Sequence, residues 1–239
     1  MSLVPLPDQG RRFTATRQVR LGDATAKGRL RLDALVRYLQ DVAADDSADS
    51  GLPDAGAWVV RKTVVEVVRV PRYGERLEIT TFCSGTGSRW AERRTSVTGD
   101  RGGSVEAASL WVYVDLATGR PRRLPAAFED LYGEACAGRQ VKARLVHGEP
   151  PAEAAVEPWP LRATDFDVLG HVNNAAYWEP VEDVLAGRGM FAGMVRAELE
   201  HRLAVEPAAK VDIALAEDPL RIWWLVEGSV AASALVAGG

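Results

Sequence analysis

Residues 162–186 read RATDFDVLGHVNNAAYWEPVEDVLA, and residues 20–44 read RLGDATAKGRLRLDALVRYLQDVAA. When the two segments are aligned without a gap, at an offset of 142, seven positions are identical. The identical pairs are Arg20/Arg162, Asp23/Asp165, Gly28/Gly170, Ala34/Ala176, Asp41/Asp183, Val42/Val184 and Ala44/Ala186. Similarity at a fixed offset is typical of a duplicated structural unit. We therefore predict that the 239-residue chain contains two copies of one fold.

Each of these segments is followed by residues typical of β-strands. Runs rich in Val, Thr, Ile and Trp, most of them bounded by Gly and Pro, predict strands of an antiparallel sheet. The predicted strands are 58–70, 75–84, 89–98 and 104–115 in the first half, and 195–205, 210–216 and 220–232 in the second. Each half therefore reads as a strand, a helix and then several antiparallel strands.

The helices are predicted from apolar periodicity within the repeated segments. Helices are expected at 30–46 and 174–187, with Pro180 kinking or interrupting the second, and a short helix at 126–136. With one apolar helix per sheet, the sheet should curl around the helix and bury it, which is an α+β architecture. Four prolines in 148–160 predict a stiff linker, which places the domains at 10–147 and 156–239.

Composition and charge exclude several classes of protein. The net charge is −4, whereas a nucleic-acid-binding protein usually has a basic balance or a strong basic patch. Cys83 and Cys136 form no ligand pair, and no two of the three histidines are at a metal-ligand spacing. We therefore expect no nucleic acid partner, no disulfide scaffold, no metal and no cofactor.

The distribution of apolar residues predicts where the protein resides. The N-terminal residues show no signal-peptide pattern, and no apolar run approaches the roughly 18 residues of a membrane span. The expected location is the cytoplasm, with no membrane span and with both thiols reduced.

The stretch 165–178, DFDVLGHVNNAAYW, has the residues of a reactive turn at a helix start. Gly170 permits a positive φ, and Asn173 or Asn174 can cap the helix. Free backbone N–H groups at the positive end of the helix can hold a carbonyl oxygen as it gains charge. Asp167 could then act as a base or a nucleophile at the carbon of an ester or thioester.

This stretch resembles the signature of hot-dog-fold thioesterases, in which an acid is followed by G-H-V-N-N-x-x-Y at the start of the central helix. The chain as a whole is similar to the acyl-ACP thioesterases of plants and bacteria. The resemblance implies two tandem hot-dog domains, each an antiparallel sheet wrapped around a central helix. It implies catalytic roles for Asp167 and His171, and substrate-binding or orienting roles for Gly170, Asn173, Asn174 and Tyr177. The implied partner is an acyl carrier protein or a coenzyme A thioester.

Two positions depart from the plant pattern of this family. Leu169 stands where plant members have an asparagine, and Ala204 falls where they have a glutamate. Glu200 is expected to point to the same side of a strand as Ala204, but it sits two residue pairs away and is therefore only a weak substitute for that glutamate. His147 and His201 are expected to be surface or sheet histidines.

The first half lacks the polar groups of the predicted site. Opposite Asp167, His171, Asn173 and Asn174 it has Thr25, Arg29, Arg31 and Leu32. The simplest interpretation is one active site per chain in the second half, with pocket walls contributed by the first.

The predicted function is hydrolysis of fatty acyl thioesters, most of all acyl-ACP, to a free fatty acid and the carrier thiol. Two alternatives are a non-catalytic acyl-thioester-binding hot-dog protein and a hot-dog hydratase or dehydratase. The sequence leaves open the acyl chain length, the choice between carrier protein and coenzyme A, and whether Asp167 is base or nucleophile. A monomer and a homodimer are both compatible with it.

Overall fold

The two halves of the chain form one continuous antiparallel sheet of ten strands. The computed structural model describes residues 1, 3–52, 56–192 and 194–238. The strands are β1 Phe13–Gln18, β2 Ala57–Arg69, β3 Arg76–Thr86, β4 Trp90–Gly99, β5 Ser104–Val114, β6 Ala155–Trp159, β7 Val195–His201, β8 Val211–Ala216, β9 Leu220–Val226 and β10 Ser229–Gly238. The α-helices are α1 Leu32–Asp49, α2 Ala126–Cys136 and α3 Trp178–Gly187.

The order of the strands shows the duplication directly. Across the sheet it is β1-β3-β4-β5-β2-β7-β10-β9-β8-β6, so each half has the same order from its outer edge inward. The halves meet where β2 pairs antiparallel with β7, with Val65 opposite Ala197. We call this pairing the seam.

Helices α1 and α3, one from each half, share one core with the sheet. The side chains of Leu35, Leu39 and Val42 in α1 are buried at spacings of three and four residues, which gives one apolar face. Trp178 and Leu185 of α3 are buried in the same cluster, and α1 contacts α3. The predicted fold class, antiparallel sheet around central helices, is confirmed.

Several details of the predicted elements are wrong, among them the strand predicted at 195–205, which ends at His201. Residues 174–177 form turns with i→i−3 hydrogen bonds, so α3 begins at Trp178 and Pro180 lies in its first turn. Proline has no backbone N–H, and in the first turn of a helix an N–H would have no helical acceptor, so no hydrogen bond is lost and the helix continues through Pro180. The predicted strand 220–232 is divided by a two-residue turn at Glu227 and Gly228, both at positive φ. Part of the predicted linker is strand β6, which tolerates Pro158 because it lies at the sheet edge.

No helix in the described parts of the chain is both long enough and apolar enough to cross a membrane.

Candidate functional site

Asp167 is held in a tight loop between the 3₁₀ turn Ala163–Asp165 and α3. One carboxylate oxygen, Oδ1, accepts a hydrogen bond from the Leu169 N–H at 2.9 Å, and Oδ2 faces the Asn173 amide nitrogen at 3.4 Å. The backbone N–H of Asp167 donates to the His171 carbonyl at 3.0 Å. Gly170 closes the loop at φ +78°, a conformation that strains any residue with a Cβ. The carboxylate is half-buried, with its orientation fixed from two sides.

The two predicted asparagines have different surroundings. The Asn173 side-chain oxygen accepts from the Ala175 N–H at 2.9 Å, while its amide nitrogen is the one that approaches Asp167. Asn173 therefore couples the carboxylate to the turn that precedes α3. Asn174 lines a small cavity, which it shares with Trp178 and His201. Within the described chain its backbone N–H has no hydrogen-bond partner.

His171 and Tyr177 are both close to the turn, but the structure gives them different environments. The His171 ring is half-buried and makes no hydrogen bond to the residues that the structure describes. Tyr177 is buried beneath the turn, and its ring contacts His201 and Trp224 edge-on, at centroid distances of 5.1 and 5.4 Å. Burial raises the pKa of the Tyr177 hydroxyl. Its ring is therefore part of the core that supports the turn.

His201 is a cavity residue that sequence analysis missed. It ends β7 on the same sheet face as the buried Leu199, and it lines the small cavity beside Asn174. Burial, reinforced by the nearby Arg61, lowers the pKa of His201 to about 3, so the ring is neutral at pH 7. The alternation of side chains along β7 was the available signal, since it places His201 with Leu199 and opposite Glu200.

The pKa of His201 predicts a pH-dependent stability. Because the folded value of about 3 lies below the ordinary 6.5, protons bind the unfolded chain first as the pH falls. Stability should therefore be lost from about pH 6.5 downward, by about 2 kcal/mol at pH 5 from this residue. Urea unfolding at pH 7.5 and pH 5 would measure the loss, and His201→Leu should reduce it by that amount. An equal loss in wild type and variant would contradict the prediction.

Glu200 is not a substitute for the missing glutamate, because it lies on the opposite face of β7 from His201. It is fully buried, and Oε1 contacts the Lys62 ammonium across the seam at 3.2 Å. The backbone N–H groups of Val146 and His147 donate to its carboxylate at 2.8–3.0 Å. Ala204 is exposed beyond the end of β7. Glu200 therefore attaches the backbone at Val146 and His147 to the seam.

The same group of side chains resembles a metal site in composition. Ligand atoms of His147, Glu198 and Glu200 lie within 4.8 Å of one another. Lys62, however, forms ion pairs with both glutamates, and its ammonium lies only 3.2 Å from Glu200. The lysine ammonium already pairs with both carboxylates, at the place that a cation would take, so the cluster fits a buried ion-pair network better than a cation site.

A large cavity lies in the first half, beside the small one. It has a volume of about 500 Å³ and is bounded by α1 residues such as Ala43 and by the aromatic rings of Trp58, Tyr113 and Phe128. Gln40, Arg93 and Trp111 line both cavities, so the two adjoin. The space beside Asn174 therefore leads towards a large, mainly apolar pocket.

The two cysteines lie at the wall of this large cavity rather than at the turn. Both are free and buried, and their sulfur atoms are 3.3 Å apart. Cys83 lines the cavity, and Cys136 is the last residue of α2. The fold brings together two thiols that are distant in the sequence, and neither contacts Asp167.

Comparisons with known proteins place these features in a family. The family model of the acyl-ACP thioesterase N-terminal domain matches residues 10–132, and that of the C-terminal domain matches residues 148–229. An uncharacterized protein of Mycobacterium tuberculosis is 29% identical over 239 residues, covering 99% of this chain and 96% of its own. Oleoyl-acyl carrier protein thioesterase 1 of Arabidopsis thaliana is 25% identical over 173 residues, which cover 61% of this chain and 47% of that protein.

Solved structures support the same fold. An acyl-ACP thioesterase from Bacteroides thetaiotaomicron aligns with a TM-score of 0.79 at 18% identity, covering 95% of this chain and 98% of that one. The 12:0-ACP thioesterase from Umbellularia californica aligns with a TM-score of 0.76 at 20% identity, covering 95% and 97%. At these identities the likeness establishes the fold.

Proposed function

The chain belongs to the acyl-ACP thioesterase family and is a thioesterase, and from this premise we propose that it hydrolyses fatty acyl thioesters, acyl-ACP above all, with Asp167 as general base or nucleophile. One observation carries the proposal. The Asp167 carboxylate is hydrogen-bonded to Asn173, while the next residue, Asn174, has a backbone N–H without a partner among the described residues and lines a cavity that adjoins a large apolar pocket. An acid, a hydrogen-bond donor and a chain-sized pocket are what thioester hydrolysis requires.

The turn supplies the groups for the chemical step. Asp167 takes a proton from water as the water attacks the thioester carbon, and the leaving thiolate then takes up that proton. Alternatively, Asp167 attacks the carbon itself and expels the thiolate, which is protonated by solvent, and water then hydrolyses the mixed anhydride to the fatty acid and the free carboxylate. In both routes the carbonyl oxygen gains charge beside the turn that precedes α3. A positioned base contributes about 10²–10⁴ in rate, and an oxyanion donor about 10²–10³. The His171 carbonyl accepts a hydrogen bond from the Asp167 N–H, which closes the turn that carries Asp167.

The two domains divide this work. We assign the reacting groups to the second domain, 156–239, and the walls of the chain pocket to the first, 10–147. The acyl chain would leave the small cavity past Gln40 and Trp111 and enter the large one. Each buried CH₂ contributes about 0.8 kcal/mol, so the depth of the pocket selects the chain length.

Thiol release from acyl-ACP and acyl-CoA substrates, C8 to C18, tests the function. We expect release from both carriers, with a higher kcat/KM for acyl-ACP. Tight binding of acyl ligands with no thiol release would instead identify a binding protein. A change in enoyl absorbance without thiol release would identify a hydratase.

The pocket assignment predicts a change in chain-length preference. Ala43 is nearly buried on the α1 side of the large cavity, and Ala43→Leu would fill part of that space. The preferred chain should become shorter by about two to four carbons, because the terminal methylenes lose their burial. Ala127→Leu, at an exposed position of α2, is the matched control. The chain-length preference of both variants is measured with the panel of acyl-ACP substrates. An unchanged preference in Ala43→Leu would contradict the binding of the acyl chain in this pocket.

A further inference from the structure

A carboxylate from the second half binds at the helix start of the first half. Glu182 of α3 is buried, and Oε1 accepts from the Arg29 guanidinium at 2.6 Å. Its other oxygen, Oε2, accepts from the backbone N–H of Leu32 at 3.1 Å, where α1 begins. At the start of α1, a backbone N–H and a guanidinium therefore bind a carboxylate.

The repeat relates this arrangement to the candidate site. At the offset of 142, Arg29 corresponds to His171, Leu32 to Asn174, and Gln40 to Glu182. Because the halves have the same strand order about the seam, Gln40 of α1 should approach the turn of the second half as Glu182 approaches that of the first. The structure agrees, since Gln40 and Asn174 line the same small cavity.

The two arrangements differ in what the backbone N–H binds. In the first half Glu182 bonds directly to the Leu32 N–H at the start of α1. In the second half, in the turn before α3, neither the Gln40 amide nor the Asn174 N–H has a hydrogen-bond partner among residues 1, 3–52, 56–192 and 194–238. Both residues line one small cavity, at the junction with the chain pocket.

We infer that Gln40 is a catalytic residue supplied by the first half, whose amide N–H donates to the thioester carbonyl oxygen together with the Asn174 N–H. The inference rests on the proposed function. As the nucleophile bonds to the thioester carbon, the C=O π electrons move to oxygen, and both donors stabilise that charge. When the C=O bond re-forms, the C–S bond breaks. In the general-base route the departing thiolate takes up the proton that Asp167 removed from the attacking water, and in the nucleophile route it takes up a proton from solvent.

Kinetics of three variants test this role. Gln40→Ala should lower kcat about a hundredfold and leave KM within about threefold, as expected for a donor that acts in the transition state. Gln40→Glu has the same shape but donates only when protonated, so its residual activity should rise as the pH falls. Asp41→Ala, at the exposed neighbouring position of α1, should keep the wild-type kcat. Thermal melts confirm that each variant is folded.

Two kinetic results would overturn the inference. A Gln40→Ala protein with wild-type kcat would show that the carbonyl needs no amide from the first half. An increase in KM alone would make Gln40 only a wall of the pocket.

A crystal structure with a non-hydrolysable ligand separates this inference from the function. The ligand is an acyl-pantetheine ketone in which CH₂ replaces the thioester sulfur. We expect its ketone oxygen within hydrogen-bond distance of both the Gln40 Nε2 and the Asn174 N. If wild type releases no thiol, the proposed function fails, while this complex still shows whether Gln40 holds the carbonyl. A ketone oxygen that contacts neither donor contradicts the inference.

Discussion

Replacing Asp167 by asparagine should lower kcat at least a hundredfold, on the order of 10² to 10⁴, in a protein that remains folded. The amide has the shape of the carboxylate and keeps an oxygen that can accept from the Leu169 N–H. It cannot take a proton from water, and it is a very poor nucleophile. The loss should therefore appear in kcat with little change in KM, because the chain pocket is untouched.

Thiol release from the best acyl-ACP substrate measures this effect. Asp183→Asn is the matched control, since it makes the same substitution at an exposed position of α3. Its kcat should equal that of wild type. Equal thiol release by Asp167→Asn and wild type would keep the reaction and move its centre away from Asp167.

Replacing Glu200 by alanine should destabilise the protein by about 3–5 kcal/mol, which is a large part of the stability of a typical domain. The change leaves the buried Lys62 with one counter-charge fewer, and it removes the acceptor of the Val146 and His147 N–H groups. Glu200→Gln should cost less, because the amide oxygen can still accept from those groups.

Urea unfolding at pH 7.5 measures this loss. The matched control is Glu66→Ala, which removes an ion pair with Arg196 across the same seam. Both of its partners are partly exposed, so the expected change is only about 0–1 kcal/mol. A Glu200→Ala protein as stable as Glu66→Ala would show that the buried pair contributes no more than an exposed one.

The elements that sequence analysis predicted well are those whose signal is local. The helix Ala126–Cys136 matches its predicted bounds, and most predicted strands agree with the observed ones within about two residues. The errors in the element bounds occur where the residues that usually mark a turn are absent from the sequence. The turn at Glu227 and Gly228 lacks the asparagine or aspartate that usually marks it. The segment 174–177 has residue types that are compatible with a helix, but it forms turns.

The turn around Asp167 could be located from sequence because its residues are contiguous. Its surroundings could not, since His201 comes from a strand and Gln40 from a helix of the other half. Contacts between distant segments depend on how β2 and β7 align, and no local periodicity encodes that register. The repeat did hold one signal for Gln40, because Glu182 is its counterpart at the same offset.

The seam has a consequence for how the two halves can diverge. In a pair of identical chains related by a two-fold axis, every substitution appears on both sides of the axis. Here the two sides of the seam are encoded separately in one chain. A charged Glu182 at the start of α1 therefore coexists with an uncharged Gln40 beside the turn that precedes α3. An ion pair occupies the first position, whereas at the second the Gln40 amide and the Asn174 N–H have no partner in the described part of the chain. Covalent fusion thus lets the two halves carry different residues at equivalent positions of one fold.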